Sequence, residues 1–384
     1  MGAFDVDLEA VRRRRTVKWT LHGPDVLAAW VAEMDFDAAP VVRTAIRDAV
    51  DRQDFGYLEA DLSPLTRATA GFLARAHGWE VRPERIFPVA DVLVGIAAGI
   101  DHHVPEGAPV IVPTPAYPPF FDVVTLGGRP VVETPVVDDG TGRPTLDLDA
   151  IDAALAAGAR GVLLCNPHNP IGRAYDAAEL AALAEVVERH GASVVADELH
   201  APLVHPGHRY TPYSTVSEAA AAHSTTVTSA SKAWNIPGLK CAQVVTTSHE
   251  AATWWRGLSG FAVPAATPIG VAASIAAYDE GGPWLDDLRV VLDANRALLA
   301  QLVADELPGV VHRSPDATYL AWLDCTALGL DDPGAFFLHQ AKVAVNDGHA
   351  FGAGHEQCVR LNFATSPEIL GQVVGRMGAA LRSR

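Results

Sequence analysis

From residue 85 to about 247 the chain repeats one pattern, a short Val/Ile/Thr-rich run followed by a longer Ala/Leu-rich stretch at helical spacing. The short runs are APVIVPTP (108–115), RPVVETPV (129–136), RGVLLCNP (160–167), ASVVADE (192–198), STTVTSAS (224–231) and AQVVTT (242–247). They are continuously apolar instead of alternating, as a strand covered on both faces must be. Between them DAAELAALAEVVERHG (176–191) repeats apolar residues every three to four positions and ends on Gly191, a residue suited to stopping a helix. The pattern predicts an α/β fold with a doubly wound, mostly parallel sheet.

After about residue 285 the texture changes. A long helix is expected over 284–307, then YLAWLD (319–324), KVAVND (342–347), VRLNFAT (359–365) and a last helix, together a smaller α+β unit. The expected division is a large α/β domain over 45–285 and a small α+β domain formed by 1–44 with 286–384. The sequence shows no internal repeat and no low-complexity linker, so the boundary is expected inside the long helix.

Composition removes several functions. With 29 basic and 46 acidic residues the formal charge is −17, which disfavours nucleic acid and anionic membrane as partners. The one basic run, Arg12 to Arg15, reads as a solvated helix face. Four cysteines lie far apart without C-x-x-C spacing, and the fifteen histidines form no H-E-x-x-H, so neither a disulfide framework nor a metal site is expected. No run reaches membrane-spanning length and the N-terminus lacks the order of a signal peptide, so a cytoplasmic protein is expected.

In open α/β sheets ligands sit beyond the carboxyl ends of the strands. Those ends carry Tyr117, Asn169, Asp197 and Lys232, an aromatic, an amide, an acid and a lysine. The set matches the needs of pyridoxal phosphate. A lysine amine takes its aldehyde, a carboxylate (Asp197) keeps the ring nitrogen protonated, an amide (Asn169) holds the ring phenolate, and a flat side chain (Tyr117) stacks on the ring. The phosphate calls for a helix N-terminus, hydroxyls and a cation. The candidates are the amides of Asp91 and Val92, with Ser229, Ser231 and Lys240, and Lys232 becomes the covalent anchor.

With those residues in place, the chain resembles the fold type I pyridoxal-phosphate enzymes of the class I/II aminotransferase superfamily, and within them the MalY/PatB-type cystathionine β-lyase, or C–S lyase, branch. The resemblance runs through KW (18–19), WVAEMDF (30–36), FGY (55–57), TPAYPPF (114–120), NPHNPIGR (166–173), DELH (197–200), SASKAWNIPGLK (229–240), YLAWLD (319–324) and VRLNFA (359–364). It implies a homodimer with shared sites, in which Tyr57 reaches the partner's cofactor phosphate. It implies that Arg360 grips the substrate carboxylate, that Val31 and Ala32 border the substrate, and that His200 lies near the ring. Two departures stand out. Glu33 replaces an Asp, and Ala90-Asp91 replaces Gly-Val before the phosphate helix, where the Asp91 side chain is expected to turn away so that only its amide helps. The implied reaction is β-elimination from cystathionine or cysteine S-conjugates to pyruvate, ammonia and a thiol. An aminotransferase acting on an α-amino acid is the alternative, and a pyridoxal-phosphate-binding regulatory protein the third reading.

Overall fold

In the computed structural model, residues 4–258 and 263–384 are described. Small parts of both expected domains, residues 1–3 and 259–262, lie outside the described residues. Seven strands form the main sheet: β1 Ile86–Val89, β2 Val110–Thr114, β3 Val131–Pro135, β4 Gly161–Cys165, β5 Ser193–Asp197, β6 Ser224–Thr228 and β7 Ala242–Thr246. Their spatial order is β1-β7-β6-β5-β4-β2-β3, and β7 alone runs against the rest. The α/β fold with a mostly parallel sheet is therefore present.

The continuous apolar character of the strands has its expected cause. Leu163 of β4 and Val195 of β5 pack on one face with Val227 and with Ile96 of helix α1 (Val92–His103). Val162, Leu164, Val194 and Ala196 pack on the other face with Leu180 and Leu183 of α2 (Ala177–Arg189). Helix α2 begins with a capping box. Asp176 accepts from the amides of Ala178 and Glu179, and Glu179 accepts in return from the Asp176 amide.

A second, antiparallel sheet holds β8 Val311–His312, β9 Leu320–Asp324, β10 Asn346–Asp347 and β11 Cys358–Asn362, in the order β8-β9-β11-β10. It shares a core with α3 (Gly282–Glu306) and α4 (Pro367–Arg382). Three details differ from the sequence reading. Strand β1, over IFPV, was not expected. The single strand expected over 342–347 is two short pieces: Val343–Ala344 pairs with Leu27–Ala28, and Asn346–Asp347 pairs with β11. Of the basic run, only Arg12 lies in a helix (Leu8–Arg12), and Arg14 turns to Asp37 at 2.9 Å. Among the described residues no helix is long and apolar enough to cross a membrane.

The irregular segment 30–36 runs between the two sheets and is pinned by a buried ion pair. Lys18 Nζ lies 2.7 Å from Asp35 Oδ1, and both side chains are 1% exposed. Lys18 also donates to the Glu33 carbonyl at 2.9 Å, and Trp19 Nε1 donates to Asp35 at 2.9 Å. Removing one partner strands a charge in the core. Asp35→Ala is expected to lower the unfolding free energy by about 3–5 kcal/mol in a urea titration. The double variant Lys18→Met, Asp35→Leu leaves no stranded charge and should lose much less. Equal losses would assign the effect to the surrounding hydrogen bonds instead of the charge pair.

Candidate active site

Strands β1, β2, β4, β5 and β6 point the same way, so the residues that follow them share one edge of the sheet. That edge receives Asp91 and Val92 after β1, Tyr117 after β2, Asn169 after β4, Asp197 and His200 at the end of β5, and Ser229 to Lys232 after β6. Lys240 precedes the reversed strand β7 and so meets the same edge. The register places Asp197 beside Cys165 on one side and Val227 on the other.

The loop after β4 is fixed by its own hydrogen bonds. His168 N donates to the Arg173 carbonyl and Gly172 N to the His168 carbonyl, both at 2.7 Å. The His168 ring donates from Nε2 to the Pro115 carbonyl at 2.8 Å, which leaves Nδ1 to accept from the Tyr175 hydroxyl at 2.7 Å. The ring therefore ties the loop carrying Asn169 to the loop carrying Tyr117. Gly172 has φ +68°, and a Cβ there would lie 2.2 Å from Pro315 Cβ, so no larger residue fits this turn.

Lys232 donates from Nζ to the Ala32 carbonyl at 2.7 Å. Burial first, and then the Arg360 charge, bring its pKa down to about 8, against the pull of Asp197 and Glu33. Asp197 is buried, and burial raises its pKa to about 6 despite a 3.0 Å hydrogen bond from the Leu199 amide and the nearby Lys232 charge. His200 is buried, with Nδ1 unpartnered. Burial and the two cations hold its pKa near 3, so its ring is neutral. Burial raises the Tyr117 hydroxyl pKa, while the Arg360 charge opposes the shift.

Arg360 lies on β11 opposite Trp322 and Asn346. It donates to Asn169 Oδ1 at 3.0 Å, the Trp30 carbonyl at 3.1 Å and Asn346 Oδ1 at 2.6 Å, and its guanidinium lies 5.2 Å from the Phe351 ring centre. All three acceptors are neutral, Nε has no partner, and no carboxylate pairs with it among the described residues. Burial lowers its pKa to about 10, so it stays charged at neutral pH. A buried cation with only neutral partners calls for an anion.

The phosphate candidates behave less simply. The Asp91 side chain does not turn away as expected. It caps α1 by accepting from the Val94 amide at 3.0 Å, because an unsatisfied helix N-terminus attracts a carboxylate, and it meets Lys240 Nζ at 2.8 Å. Ser229 Oγ donates to the Cys241 carbonyl at 2.7 Å and accepts from the Ser231 amide at 3.0 Å. Val92 opens α1 directly after its Asp91 cap. Tyr57 shares no contact with this rim and is fully exposed.

Sequence reasoning placed Val31 and Ala32 here but missed what holds them. Asn362 Nδ2 donates to the carbonyls of Val31 and Glu33, both at 2.7 Å, and the Tyr319 hydroxyl donates to Ala32 at 3.0 Å. Asn346 was missed as well. These residues stood inside YLAWLD, KVAVND and VRLNFA, stretches whose residues offered no separate chemical signal.

The buried lysine of lowered pKa, the carboxylate beside it and the arginine without a counter-ion form a donor set that pyridoxal phosphate and an amino-acid carboxylate fit. The family model for aminotransferase class I and II matches residues 30–377. Cystathionine beta-lyase of Corynebacterium glutamicum is 38% identical, over 98% of this chain and 99% of its own length. Cystathionine beta-lyase PatB of Bacillus subtilis is 33% identical, over 96% and 97%. A crystal structure from Corynebacterium diphtheriae, provisionally named a PLP-dependent beta-cystathionase, superposes with a TM-score of 0.95 at 41% identity, covering 99% of each chain.

A lysine attacks an aldehyde only in its neutral form, and the proposal that Lys232 is that lysine has a pH signature. The rate at which the apoprotein combines with pyridoxal phosphate, followed by absorbance, should rise about tenfold per pH unit below about 8 and level off above it. Asp197 raises the lysine's pKa, so Asp197→Asn should move that midpoint to lower pH. A flat profile across this range would contradict the assignment of Lys232 as the attacking amine.

Proposed function

The chain belongs to the aminotransferase class I and II family, and within it we infer that it is a pyridoxal-phosphate-dependent carbon–sulfur lyase. The reaction is β-elimination from cystathionine or a cysteine S-conjugate, giving pyruvate, ammonia and a thiol. The observation that carries this reading is the buried Arg360 guanidinium without a counter-ion, on the rim that Lys232 and Asp197 share.

Pyridoxal phosphate, when bound, supplies an aldehyde for an amine and a ring that withdraws electrons from the substrate Cα. Lys232 would hold that aldehyde and, once freed by the substrate amine, would take the Cα proton. Its lowered pKa suits it to both tasks, because part of it is neutral near pH 7. Asp197 would keep a proton on the ring nitrogen, and a cation there would favour its charged form. Asn169 would hold the ring oxygen, Tyr117 would stack on the ring, and neutral His200 would donate or accept without adding charge. Arg360 would take the substrate carboxylate as a fork, with Val31 and Ala32 bordering it. Ser231 and Lys240, with the amides of Asp91 and Val92, would hold the phosphate. That role requires Lys240 to share its charge between Asp91 and the phosphate, and Ser229 to give up its bond to Cys241 or act only by shaping the turn. The Cα proton would go to Lys232, and the electron pair it leaves on Cα would form a Cα–Cβ double bond as the Cβ–S pair departs with the thiolate. Water would then convert the released enamine to pyruvate and ammonia.

The working unit is proposed to be a homodimer. Tyr57 is fully exposed and Phe55 is 61% exposed, on a turn bordering a cavity of about 600 Å³ that Pro268 and Val271 also line. Such exposure of two aromatics suits an interface, across which Tyr57 of one protomer would reach the cofactor phosphate held by the other. The four cysteines are free and buried, which fits a reducing compartment, and the cytoplasm is the proposed location.

Incubated with cystathionine and no keto acid, the purified enzyme should release pyruvate, ammonia and thiol in equal amounts over many turnovers. Arrest after one half-reaction, with the cofactor converted to its amine form, would identify an aminotransferase instead. The dimer has its own test. Mixing inactive Lys232→Ala and Tyr57→Ala subunits should restore part of the activity, because one of the two sites in a mixed dimer then has both residues. A fully active monomer in sedimentation would overturn the shared site.

A further inference from the structure

The pairing of β10 with β11 decides what stands beside Arg360. Asn346 lies directly opposite Arg360, and Asp347 directly opposite Val359. Opposed residues of an antiparallel pair share a face and successive residues alternate, so Asn346 faces the guanidinium and Asp347 faces away from it. The acid is also committed elsewhere. Asp347 accepts from the His349 amide at 2.9 Å and lies 2.7 Å from the Nδ1 of the same residue. Pairing shifted by one residue would bring that carboxylate to Arg360 in place of the amide.

The contact belongs to a cage of neutral groups. Asn346 Oδ1 accepts from Arg360 Nη2 at 2.6 Å, and the Trp30 carbonyl accepts from the same nitrogen at 3.1 Å. Asn169 Oδ1 accepts from Nη1 at 3.0 Å. The Phe351 ring centre lies 5.2 Å from the guanidinium, and Trp322, opposite Arg360 on β9, packs edge-to-face on Phe351. Two amides thus hold the two Nη atoms, Asn169 from the loop after β4 and Asn346 from the second sheet.

The choice of an amide at 346 is informative. An aspartate has nearly the same shape and would offer an oxygen in the same place, and its bond to a guanidinium would be the stronger one. Stability of the contact therefore does not favour asparagine. What the amide preserves is the charge: it orients Arg360 and leaves its positive charge for a ligand.

We propose that Asn346 is a positioning residue that sets the preference for substrates with a free α-carboxylate, by orienting Arg360 without neutralising it. The proposal rests on the assignment of Arg360 to the substrate carboxylate and extends it to a residue outside the rim of the main sheet. The preference it controls is one of charge, for an α-amino acid over the amide of the same amino acid.

The test uses the holoenzyme and two small probes, L-alanine and L-alaninamide. They differ in the carboxylate and carry no leaving group on Cβ. Dissociation constants are read from the absorbance of the bound cofactor, and the unsubstituted enzyme should prefer alanine. Asn346→Asp should weaken alanine roughly tenfold or more, the scale of one contact to a charged group, while alaninamide changes far less. Asn346→Ala should weaken alanine by less than Asn346→Asp does, because it costs an orienting bond and adds no negative charge. A packing role predicts the reverse order, since aspartate fills the space of asparagine and alanine leaves a gap, and that order would overturn the proposal. So would equal losses for the two probes in Asn346→Asp, or no loss at all. Arg360→Ala, measured alongside, separates this proposal from the assignment beneath it. If that variant loses the preference for alanine while Asn346→Asp keeps it, the role of Asn346 alone falls. If the preference survives both substitutions, Arg360 does not hold the carboxylate and both fall.

Discussion

The buried Lys18–Asp35 pair anchors the segment on which the rest of the site is hung. Desolvating two charges costs several kcal/mol per ion, and their attraction offsets this only where every remaining donor and acceptor is well placed. Here Lys18 also reaches the Glu33 carbonyl and Trp19 supplies a second donor to Asp35 Oδ1, while Asp35 Oδ2 is buried without a partner, so the pair is only partly compensated. Asn235, three residues after the candidate catalytic lysine, accepts from the Met34 amide and donates to the Met34 carbonyl, both at 2.9 Å. Asn362, from the other sheet, holds Val31 and Glu33. Residues 30–36 are thus clamped from the N-terminus, from the loop after β6 and from β11 together. What they present in return is main-chain carbonyl oxygen: Trp30 to Arg360, and Ala32 to both Lys232 and Tyr319. A shift of this segment would move the lysine and the arginine at once.

The electrostatics of the rim follow from what the clamp does not supply. Carbonyl and amide oxygens orient Lys232 and Arg360 but do not neutralise them. Arg360 lowers the proton affinity of Lys232, both cations lower that of neighbouring His200, and the carboxylates of Asp197 and Glu33 raise that of Lys232. Such an arrangement is unfavourable in the empty chain and favourable once anions arrive. A site that binds a phosphate, a phenolate and a carboxylate must carry its cations before those ligands come; here Lys232 and Arg360 are held by neutral dipoles, whereas Lys240 is paired with Asp91.

Much of this was legible in sequence because it depends on strand ends. The apolar runs ending at Cys165, Asp197 and Thr228 give the sheet, and parallel strands put the following residues on one edge. Strand β1 escaped because Pro88 interrupts a run of only four residues, IFPV, and its pairing lies entirely with the reversed strand β7. The stretch 342–347 reads as one strand, yet its two halves pair with different partners, a tertiary choice that local pattern does not encode. Asp91 was read as an amide donor with its side chain averted. Helix capping is a local rule, and applying it to an Asp immediately before α1 would have found the carboxylate where it is. The roles of Tyr319, Asn346 and Asn362 were invisible because each acts on main chain or on Arg360 across distances in sequence from 14 to 331 residues.

The net charge sharpens the point about preloaded cations. A surface of −17 repels an anionic cofactor and amino-acid carboxylates at long range, although at physiological ionic strength that repulsion is screened beyond about 8 Å. Attraction must therefore act at contact. Inside a desolvated rim the Coulomb energy of a pair is several times its value in water, so the buried Arg360 cation can outweigh many exposed carboxylates. Discrimination then comes from geometry. On the proposed assignment of Arg360 and Lys232, an anion that reaches Arg360 without an amine to displace Lys232 finds only half of its partners, whereas an α-amino acid engages both. On the same assignment, burying the cation instead of displaying it would let an acidic protein select an anionic substrate by its shape.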